Sequence, residues 1–301
     1  MRLYPSLTVG PSSFTWGERT YIMGVINITP DSFSGDGLLV RQGWVAAAVA
    51  QAQAQVAAGA DILDVGGEST RPGSLPVPLE EELRRVLPVI SALAKTVAVP
   101  ISIDTSKAEV ARQAVAAGAT IINDVWGLTL DPAMPAVAAA SGAAVVLMHN
   151  RSRPKDAVQE AGLGGRYVGV EYENLMADVG RELRELCELA LAAGVSPERI
   201  ILDPGIGFGK TVEQNLELVD RLADLQSLGY PLLVGPSRKA FTGYGLKLPP
   251  DQRLEGTAAA VALLIDRGAD IVRVHDIAAM HRVAALSDAI CRRSRAMAHG
   301  V

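Results

Sequence analysis

The sequence predicts a (β/α)8 barrel of the TIM type, in which eight parallel strands alternate with eight helices. Three observations carry this prediction. A short apolar run followed by a longer Ala-rich amphipathic run recurs along almost the whole chain. Several of the helix-like runs end at a glycine, directly before the next strand-like run. The length of 301 residues also suits one barrel, a fold that commonly takes about 250 residues.

The first predicted element is a hairpin. Residues 1–20 precede the first barrel strand and carry a turn sequence, Val9-Gly10-Pro11-Ser12. We expect them to form a small N-terminal hairpin that caps the bottom of the barrel. Because no long polar linker interrupts the chain, residues 1–301 are predicted to form a single domain.

The barrel elements follow in strict alternation. The predicted strands cover residues 21–27, 61–66, 99–104, 120–124, 144–148, 200–203, 231–235 and 270–275. The predicted helices cover residues 43–58, 79–96, 107–117, 133–141, 171–193, 213–228, 253–267 and 278–295, and four of them stop at Gly59, Gly118, Gly194 and Gly268. This order implies parallel pairing with right-handed crossovers. An open doubly wound sheet is the alternative, but eight strands are the number that closes a barrel.

Composition narrows the functional classes. Apolar residues make up 49% of the chain and charged residues 20%, so disorder is excluded. The net charge of −5 argues against a general nucleic-acid binder, which is usually basic. Cys187 and Cys291 form neither a disulfide framework nor a metal motif. The N-terminus lacks the apolar run of a signal peptide, so a soluble, cytoplasmic protein without a membrane partner is expected.

Polar residues mark the carboxyl end of every predicted strand, which is where barrel enzymes place their functional groups. The polar residues at these ends, in chain order, are Asn27, Asp64, Asp104, Asn123 with Asp124, His149, Asp203, Lys239, and Arg273 with His275. Exposure of the strand ends to water would explain polar residues at two or three of them, but not at the ends of all eight strands.

Two groups within this set indicate a ligand. Asp104, Asn123 and Asp203 would suit a heterocycle with several N–H donors and one carbonyl, with Lys239 available for the carbonyl or a ring nitrogen. Arg273 and His275 lie two apart on a strand and so share one side, where with Arg71 they could hold a phosphate or diphosphate. Glycine-rich loops after the first two strands could close over the ligands.

Other motifs are weaker. GIGFGKT is one residue too short for a phosphate-binding P-loop, and no G-x-G-x-x-G opens a helix at the right place. No Cys/His cluster predicts zinc. A Schiff-base role for Lys239, as in barrel aldolases, remains an alternative that the neighbouring Arg238 disfavours.

Seven blocks in order, closed by RVHD, resemble the dihydropteroate synthase family: NITPDSFS, DVGGESTRPG, SIDTSK, INDVWG, LMHNR, LDPGIGFGK and GPSRK. The resemblance covers nearly the whole chain. It implies a (β/α)8 barrel, a homodimer formed through barrel helices, and a sulfonamide target. It also implies a transferase that joins (7,8-dihydropterin-6-yl)methyl diphosphate to 4-aminobenzoate, giving 7,8-dihydropteroate and pyrophosphate, with Mg²⁺.

The resemblance also implies roles for single residues. The pterin ring would be bound by Asp104, Asn123, Asp203 and Lys239, the diphosphate by Thr70, Arg273 and His275, and Mg²⁺ by Asn27. The 4-aminobenzoate site would be formed by Phe33, Arg71, Pro72 and Phe208. Arg273, His275 and Lys239 would act in catalysis, since charge develops on the departing diphosphate.

Two further readings stay open at this point. A corrinoid-dependent methyltransferase domain that binds a methyl-folate would share the pterin carboxylates, and an inactive paralogue would bind pterin without turnover. One departure from the family pattern is Ala240, which stands where many members have a serine that helps to hold the aminobenzoate carboxylate. A backbone N–H at a helix start could still make that contact.

Overall fold

The computed structural model describes residues 3–10, 12–29, 43–70, 74–153, 156–160, 163–168, 171–243 and 246–292. Its first element is the predicted hairpin, in which β1 (Ser6–Val9) pairs antiparallel with β2 (Ser12–Thr15). The predicted hairpin is therefore confirmed.

Eight strands of the described residues form one parallel sheet. They are β3 (Tyr21–Asn27), β4 (Ile62–Gly66), β5 (Ile101–Asp104), β6 (Ile121–Asp124), β7 (Ala144–Met148), β10 (Ile200–Asp203), β11 (Leu233–Val234) and β12 (Ile271–Val274). The sheet runs in the order β10-β7-β6-β5-β4-β3-β12-β11, and a parallel bridge from Leu202 to Leu232 joins its two ends. The sheet thus closes into the predicted barrel, and an open doubly wound sheet is excluded.

A helix follows each barrel strand. The helices are α1 (Trp44–Ala57), α2 (Leu79–Thr96), α3 (Ala108–Ala116), α4 (Met134–Ser141), α5 (Leu175–Ala192), α6 (Val212–Asp220), α7 (Leu254–Asp266) and α8 (Ile277–Cys291). Helix α5 begins later than predicted because the Asn174 side chain accepts from the Ala177 N–H and caps the helix there. Helix α6 ends earlier than predicted, where Arg221 leaves the helical conformation, and residues 222–228 form a 3₁₀ helix.

The lower half of the barrel interior is apolar. The hairpin residues Leu7, Val9, Phe14 and Trp16 pack there against the barrel residues Met23, Ile62, Ile121, Val146, Ile201, Leu233 and Ile271. This cluster is the physical basis for the hairpin's position at the bottom, because the open end of the barrel would otherwise expose these side chains to water.

The upper half of the interior is polar, and the alternation of side chains along a strand explains why. Two residues after the apolar residues Ile62, Ile121, Ile201 and Ile271 come the polar residues Asp64, Asn123, Asp203 and Arg273. Because side chains two apart on a strand share a face, the polar set also points into the barrel. The strands therefore carry their charged groups inward at the carboxyl end.

One element was not predicted. Strands β8 (Ala157–Glu160) and β9 (Gly164–Tyr167) pair antiparallel between β7 and α5, where the sequence predicted neither a strand nor a helix. Two adjacent glycines open β9, and glycine weakens the sequence signal of a strand. The Arg253 guanidinium holds the hairpin turn by donating from Nη2 to the Leu163 carbonyl over 2.7 Å.

Leu7→Ala is expected to lower the free energy of unfolding by about 3 kcal/mol, because Leu7 is buried under the barrel and its loss leaves a cavity. Urea unfolding measures this change. The matched control is Thr8→Ala on the exposed face of β1, with an expected change within about 0.5 kcal/mol. Equal losses in the two variants would contradict the packing of the hairpin against the barrel.

Candidate active site

A pocket opens at the carboxyl end of the barrel strands. Seven of the predicted site residues line it: Asn27, Thr70, Asp104, Phe208, Lys239, Arg273 and His275. Asn123 and Asp203 are buried in the same upper half of the barrel. The predicted residues Phe33, Arg71 and Pro72 lie outside the described residues. The structure therefore brings together every predicted site residue that it describes.

Arg273 lies at the centre of a cluster of buried polar side chains, called the hub below, which also contains Asp64, Asp104 and Asn123. Its Nε donates to Asp64 Oδ2 over 2.6 Å, and its Nη2 donates to Asp104 Oδ2 over 2.8 Å. The amide of Asn123 donates to the same Asp64 oxygen over 3.0 Å. One guanidinium thus links β12 to β4 and β5 across the barrel interior.

Asp64 is the site residue that the sequence analysis did not assign. It is fully buried and contacts both Arg273 and Asn123, and its second oxygen has no hydrogen-bond partner among the described residues. The signal was present in the sequence, because Asp64 follows Ile62 by two and therefore shares its inward face. An unsatisfied buried carboxylate oxygen is costly unless a ligand contacts it.

Arg273 has contacts that the sequence did not predict. The sequence analysis placed Arg273 with His275 in an anion site, separate from the carboxylates that meet the heterocycle. In the structure the Arg273 guanidinium also pairs with Asp64 and Asp104. Two buried carboxylates attract the nearest cation strongly, because a low-dielectric interior weakens charge screening. The two predicted subsites consequently share one charged group.

Burial controls the protonation of the carboxyl groups. It raises the pKa of Asp104 to about 8, with a further rise from the nearby Asp64, while Arg273 acts in the opposite direction. Burial likewise raises the pKa of Asp203, against the effects of Lys239 and of the Gly205 N–H, which donates to Asp203 Oδ1 over 2.7 Å. Burial thus opposes ionisation of both carboxyl groups, while the neighbouring cations and, for Asp203, the Gly205 N–H favour it.

Lys239 lies above the aromatic ring of Phe208, with Nζ 4.6 Å from the ring centroid, and it donates to the Ile206 carbonyl. Burial lowers the pKa of Lys239 to about 8, and Arg273 lowers it further, while Asp203 opposes this shift. The neighbouring Arg238 also lines the pocket, but its guanidinium is held in a two-bond ion pair with Asp276. Lys239 is therefore the cation of the GPSRK segment that lies on Phe208.

His275 is oriented by a hydroxyl group. Its Nδ1 lies 2.9 Å from Ser237 Oγ, and its backbone N–H donates to the same oxygen over 3.2 Å. Ser237 is buried and lines the pocket with His275. The two contacts restrict the rotation of the imidazole at the mouth of the barrel.

Two other polar residues at strand ends, Asp124 and His149, make their hydrogen bonds outside the pocket. The Asp124 carboxylate accepts from the backbone N–H groups of Trp126 and Leu128, so it caps the loop after β6. His149 turns toward Glu182 of α5, with Nε2 and Oε2 2.9 Å apart. The sequence analysis noted both residues at strand ends and assigned neither of them to the ligand site.

Metal ligands are sparse at this site. Among the described residues, no group of three or more His, Cys, Asp or Glu side chains could hold a metal ion. Asn27 remains the predicted magnesium ligand. It ends β3 and lines the pocket with Arg273 and His275.

These features define a class: a barrel enzyme that binds a pterin. The family model described as "Pterin binding enzyme" matches residues 23–275, and the chain belongs to that family. Among its relatives, a dihydropteroate synthase of Synechocystis sp. is 47% identical over 96% of this chain and 96% of its own length. Within the class, the chain belongs to the dihydropteroate synthases, which are transferases. The predicted family and activity are thereby confirmed.

Solved structures agree with this assignment. The dihydropteroate synthase of Yersinia pestis in a sulfonamide drug complex has a TM-score of 0.87 and 38% identity, covering 96% of this chain and 99% of its own. That of Xanthomonas albilineans with 4-aminobenzoic acid has a TM-score of 0.84 and 42% identity, covering 95% of this chain and 98% of its own. No helix of the described residues combines the length and apolar character needed to cross a bilayer.

Proposed function

We propose that the pocket joins (7,8-dihydropterin-6-yl)methyl diphosphate to 4-aminobenzoate, with the roles that the sequence analysis assigned. The observation that carries this proposal is the hub around Arg273, which gathers carboxyl groups and an amide from neighbouring strands beside Lys239 and the Phe208 ring. A pterin ring has N–H and amino donors at one edge and a carbonyl beside them. The hub matches this pattern of donors and acceptors.

Pterin recognition would use Asp104, Asn123, Asp203 and Lys239. The two carboxyl groups accept from ring N–H and amino groups, and the Lys239 ammonium donates to the carbonyl or a ring nitrogen. Because the site is buried, each such hydrogen bond discriminates strongly against a ligand that lacks the matching group. We add Asp64 as the group that keeps Arg273 and Asn123 in place; its second oxygen accepts no hydrogen bond from the part of the chain that the structure describes.

The diphosphate would lie against Thr70, Arg273 and His275. Cleavage of the bond from the pterin methylene carbon to oxygen leaves a cation that the electron-rich ring stabilises, and negative charge builds on the departing diphosphate. Arg273 and His275 supply positive charge or hydrogen bonds where that charge develops. The arylamine of 4-aminobenzoate is neutral at pH 7, so its attack on the methylene carbon requires no strong general base.

The residues at the mouth fit a magnesium ion. Mg²⁺ commonly uses one or two protein oxygens together with substrate phosphates and water, and the Asn27 side-chain oxygen is such a ligand in the same pocket as Arg273 and His275. When bound, the ion would offset the negative charge of the diphosphate.

The aminobenzoate ring would pack on Phe208, next to the predicted Phe33, Arg71 and Pro72. In support, the Xanthomonas albilineans relative was solved with 4-aminobenzoic acid. Ala240 also lines this pocket, in the position that a serine commonly takes. A backbone N–H there would serve the carboxylate in place of the missing hydroxyl.

One assay tests the proposed function. Pyrophosphate release should require both the pterin diphosphate and 4-aminobenzoate, with dihydropteroate formed in equal amount. Release without the arylamine would contradict the proposed transfer. Tight pterin binding without any release would favour the inactive paralogue instead.

A homodimer is part of the proposal. Helices α7 and α8 expose Leu263, Leu286 and Ile290, with 46%, 66% and 68% of their surfaces accessible. Leu286 and Ile290 lie four apart on one helical face, and adjoining exposed apolar side chains commonly mark an interface. Sedimentation should show a dimer that Ile290→Asp weakens, while Leu75→Asp, at an exposed leucine outside both helices, leaves it intact. A monomeric wild-type protein would contradict this part.

We also propose a cytoplasmic location.

A further inference from the structure

The loop of residues 204–210 lies between the two proposed subsites. It starts after Asp203, on the pterin side, and carries Phe208, on the aminobenzoate side. A side chain at Gly205 would meet the His149 carbonyl, with only 1.9 Å from an ideal Cβ to that oxygen, and φ there is +72°. The loop is therefore wedged tightly against the end of β7, and only glycine fits at that point.

Side chains hold the carbonyl groups of this loop. Lys210 Nζ donates to the carbonyls of Gly205 and Phe208, over 3.0 Å and 3.1 Å. Three other side chains donate to carbonyls of the loop: Lys239 to that of Ile206, Tyr172 to that of Gly209, and Asn215 to that of Lys210. The Gly205 carbonyl also accepts from the Phe208 backbone N–H over 3.0 Å. Lys210 is the one side chain that contacts two of these carbonyls, and one of the two is that of Phe208 itself, so it supports the backbone that carries Phe208.

Lys210 is buried, with 2% of its surface exposed, and its third contact is His149 Nδ1 at 3.0 Å. On the other side of that ring, Nε2 lies 2.9 Å from Glu182 Oε2. The contacts of His149 and Arg151 outweigh the effect of burial and hold the pKa of Glu182 well below its usual range, so it is a carboxylate. The His149 Nε2 therefore carries the proton and donates to Glu182, which leaves Nδ1 as an acceptor.

The hydrogen-bond count is then complete. An ammonium group has three N–H donors, and Lys210 faces three acceptors: two carbonyls and one imidazole nitrogen. A neutral amine has two donors and a lone pair, so one of the three contacts would be lost. His149 cannot restore that contact by moving its proton to Nδ1, because an unprotonated Nε2 would then face the Glu182 carboxylate.

We propose that Lys210 is a positioning residue for the arylamine subsite: its ammonium group, braced by His149 and Glu182, holds the loop carbonyls that set Phe208 against 4-aminobenzoate. The inference rests on the proposed role of Phe208. It assigns no chemical step to Lys210, since all its donors are used within the protein.

The state of Lys210 depends on pH. Burial lowers its pKa to about 7, and the charged groups around it act in both directions. Asp203 of β10 and Glu182 of α5 raise the pKa, while Lys239 after β11 and Arg151 after β7 lower it. Burial, with Lys210 nearby, also lowers the pKa of His149 to about 4, so the imidazole stays neutral near pH 7. Loss of the Lys210 proton above pH 7 removes one donor and loosens the loop.

Lys210→Met tests the proposal, because methionine has a similar volume and no charge. With saturating pterin diphosphate, the KM for 4-aminobenzoate should rise about tenfold. The variant loses all three Lys210 hydrogen bonds, but these act on the substrate only through the position of Phe208, so only part of their free energy affects binding. The KM for the pterin diphosphate should stay within about twofold, since Asp203 keeps its other contacts. Lys95→Met, at the exposed end of α2, is the matched control and should change neither value.

Wild-type enzyme supplies a second, independent measurement that needs no variant. Its KM for 4-aminobenzoate should rise above about pH 7, although the substrate's carboxylate and amine keep their charge from about pH 6 to about pH 9. In Lys210→Met the part of this rise centred near pH 7 should be absent, whereas any change near pH 8 that comes from Lys239 should remain. A purely structural role for Lys210 would lower stability without producing that pH dependence.

Two outcomes would overturn the inference. One is a wild-type KM for 4-aminobenzoate that is flat across this pH range. The other is a folded Lys210→Met variant with both KM values unchanged while Phe208→Ala still raises the KM for 4-aminobenzoate. If Phe208→Ala itself has no effect on that KM, the assignment of the aminobenzoate subsite fails, and the positioning role fails with it.

Discussion

Asp203→Asn is expected to weaken binding of a diphosphate-free pterin by about 10- to 100-fold. The substitution keeps the shape and the oxygen that accepts from the Gly205 N–H, but it removes the negative charge. A hydrogen bond to a charged group contributes about 1.5–3 kcal/mol, which corresponds to this range of dissociation constants. Calorimetric titration of a pterin without diphosphate measures the effect separately from the anion contacts.

Asp251→Asn is the matched control for Asp203→Asn. Asp251 is exposed and follows Pro250, which lines the same pocket, so the change removes a charge near the site without touching the buried hub. We expect an unchanged dissociation constant in this variant. An unchanged constant in Asp203→Asn as well would place the pterin elsewhere in the pocket.

Arg273→Met is expected to slow turnover by about 10²-fold, because the departing diphosphate loses a cation where negative charge develops. The structure adds a second effect that the sequence did not predict. Arg273 also neutralises Asp64 and Asp104, so its loss leaves two buried carboxyl groups together without a cation. Breaking a buried ion pair typically lowers the free energy of unfolding by about 3–5 kcal/mol.

The pH dependence of the Arg273→Met effect follows from Asp104. Arg273 lowers the Asp104 pKa, which already stands at about 8, so the variant's value will be higher still. Between the ordinary value of 3.8 and the folded value, the folded state binds more protons than the unfolded state. Wild type and variant therefore lose stability in parallel as pH rises to about 8, and above about pH 8 only the variant continues to lose it through Asp104. Urea unfolding should show a larger gap between variant and wild type at about pH 9 than at about pH 7.

The double variant Asp64→Asn/Arg273→Met provides the control. Removing one carboxylate relieves the repulsion with Asp104, so the double variant should be more stable than Arg273→Met alone at about pH 8. If the double variant is instead less stable than Arg273→Met by the full effect of a second independent mutation, the three side chains do not form one electrostatic unit.

The sequence by itself determined the order and type of the barrel elements, and it singled out most of the candidate residues that the structure brings to one pocket. Periodicity is a local property, so each buried strand and each amphipathic helix could be read within its own segment. Gly59 and Gly118 marked two helix ends for an equally local reason, and they have φ of 105° and 120° in the structure. Parallel pairing then placed all the polar strand ends at one mouth.

Only the tertiary structure decided which of those polar groups touch. Asp64 and Arg273 are 209 residues apart in sequence, and nothing in either segment specifies a 2.6 Å contact across the barrel. His149 and Asp203 both end strands, yet one turns toward α5 and the other is buried beside the pocket loop. The β8–β9 hairpin, whose sequence signal is weak, and the burial of Lys210 likewise depend on contacts with segments that are distant in the sequence. Local patterns determine secondary structure, whereas ion pairs and burial depend on distances that exist only after the barrel has closed.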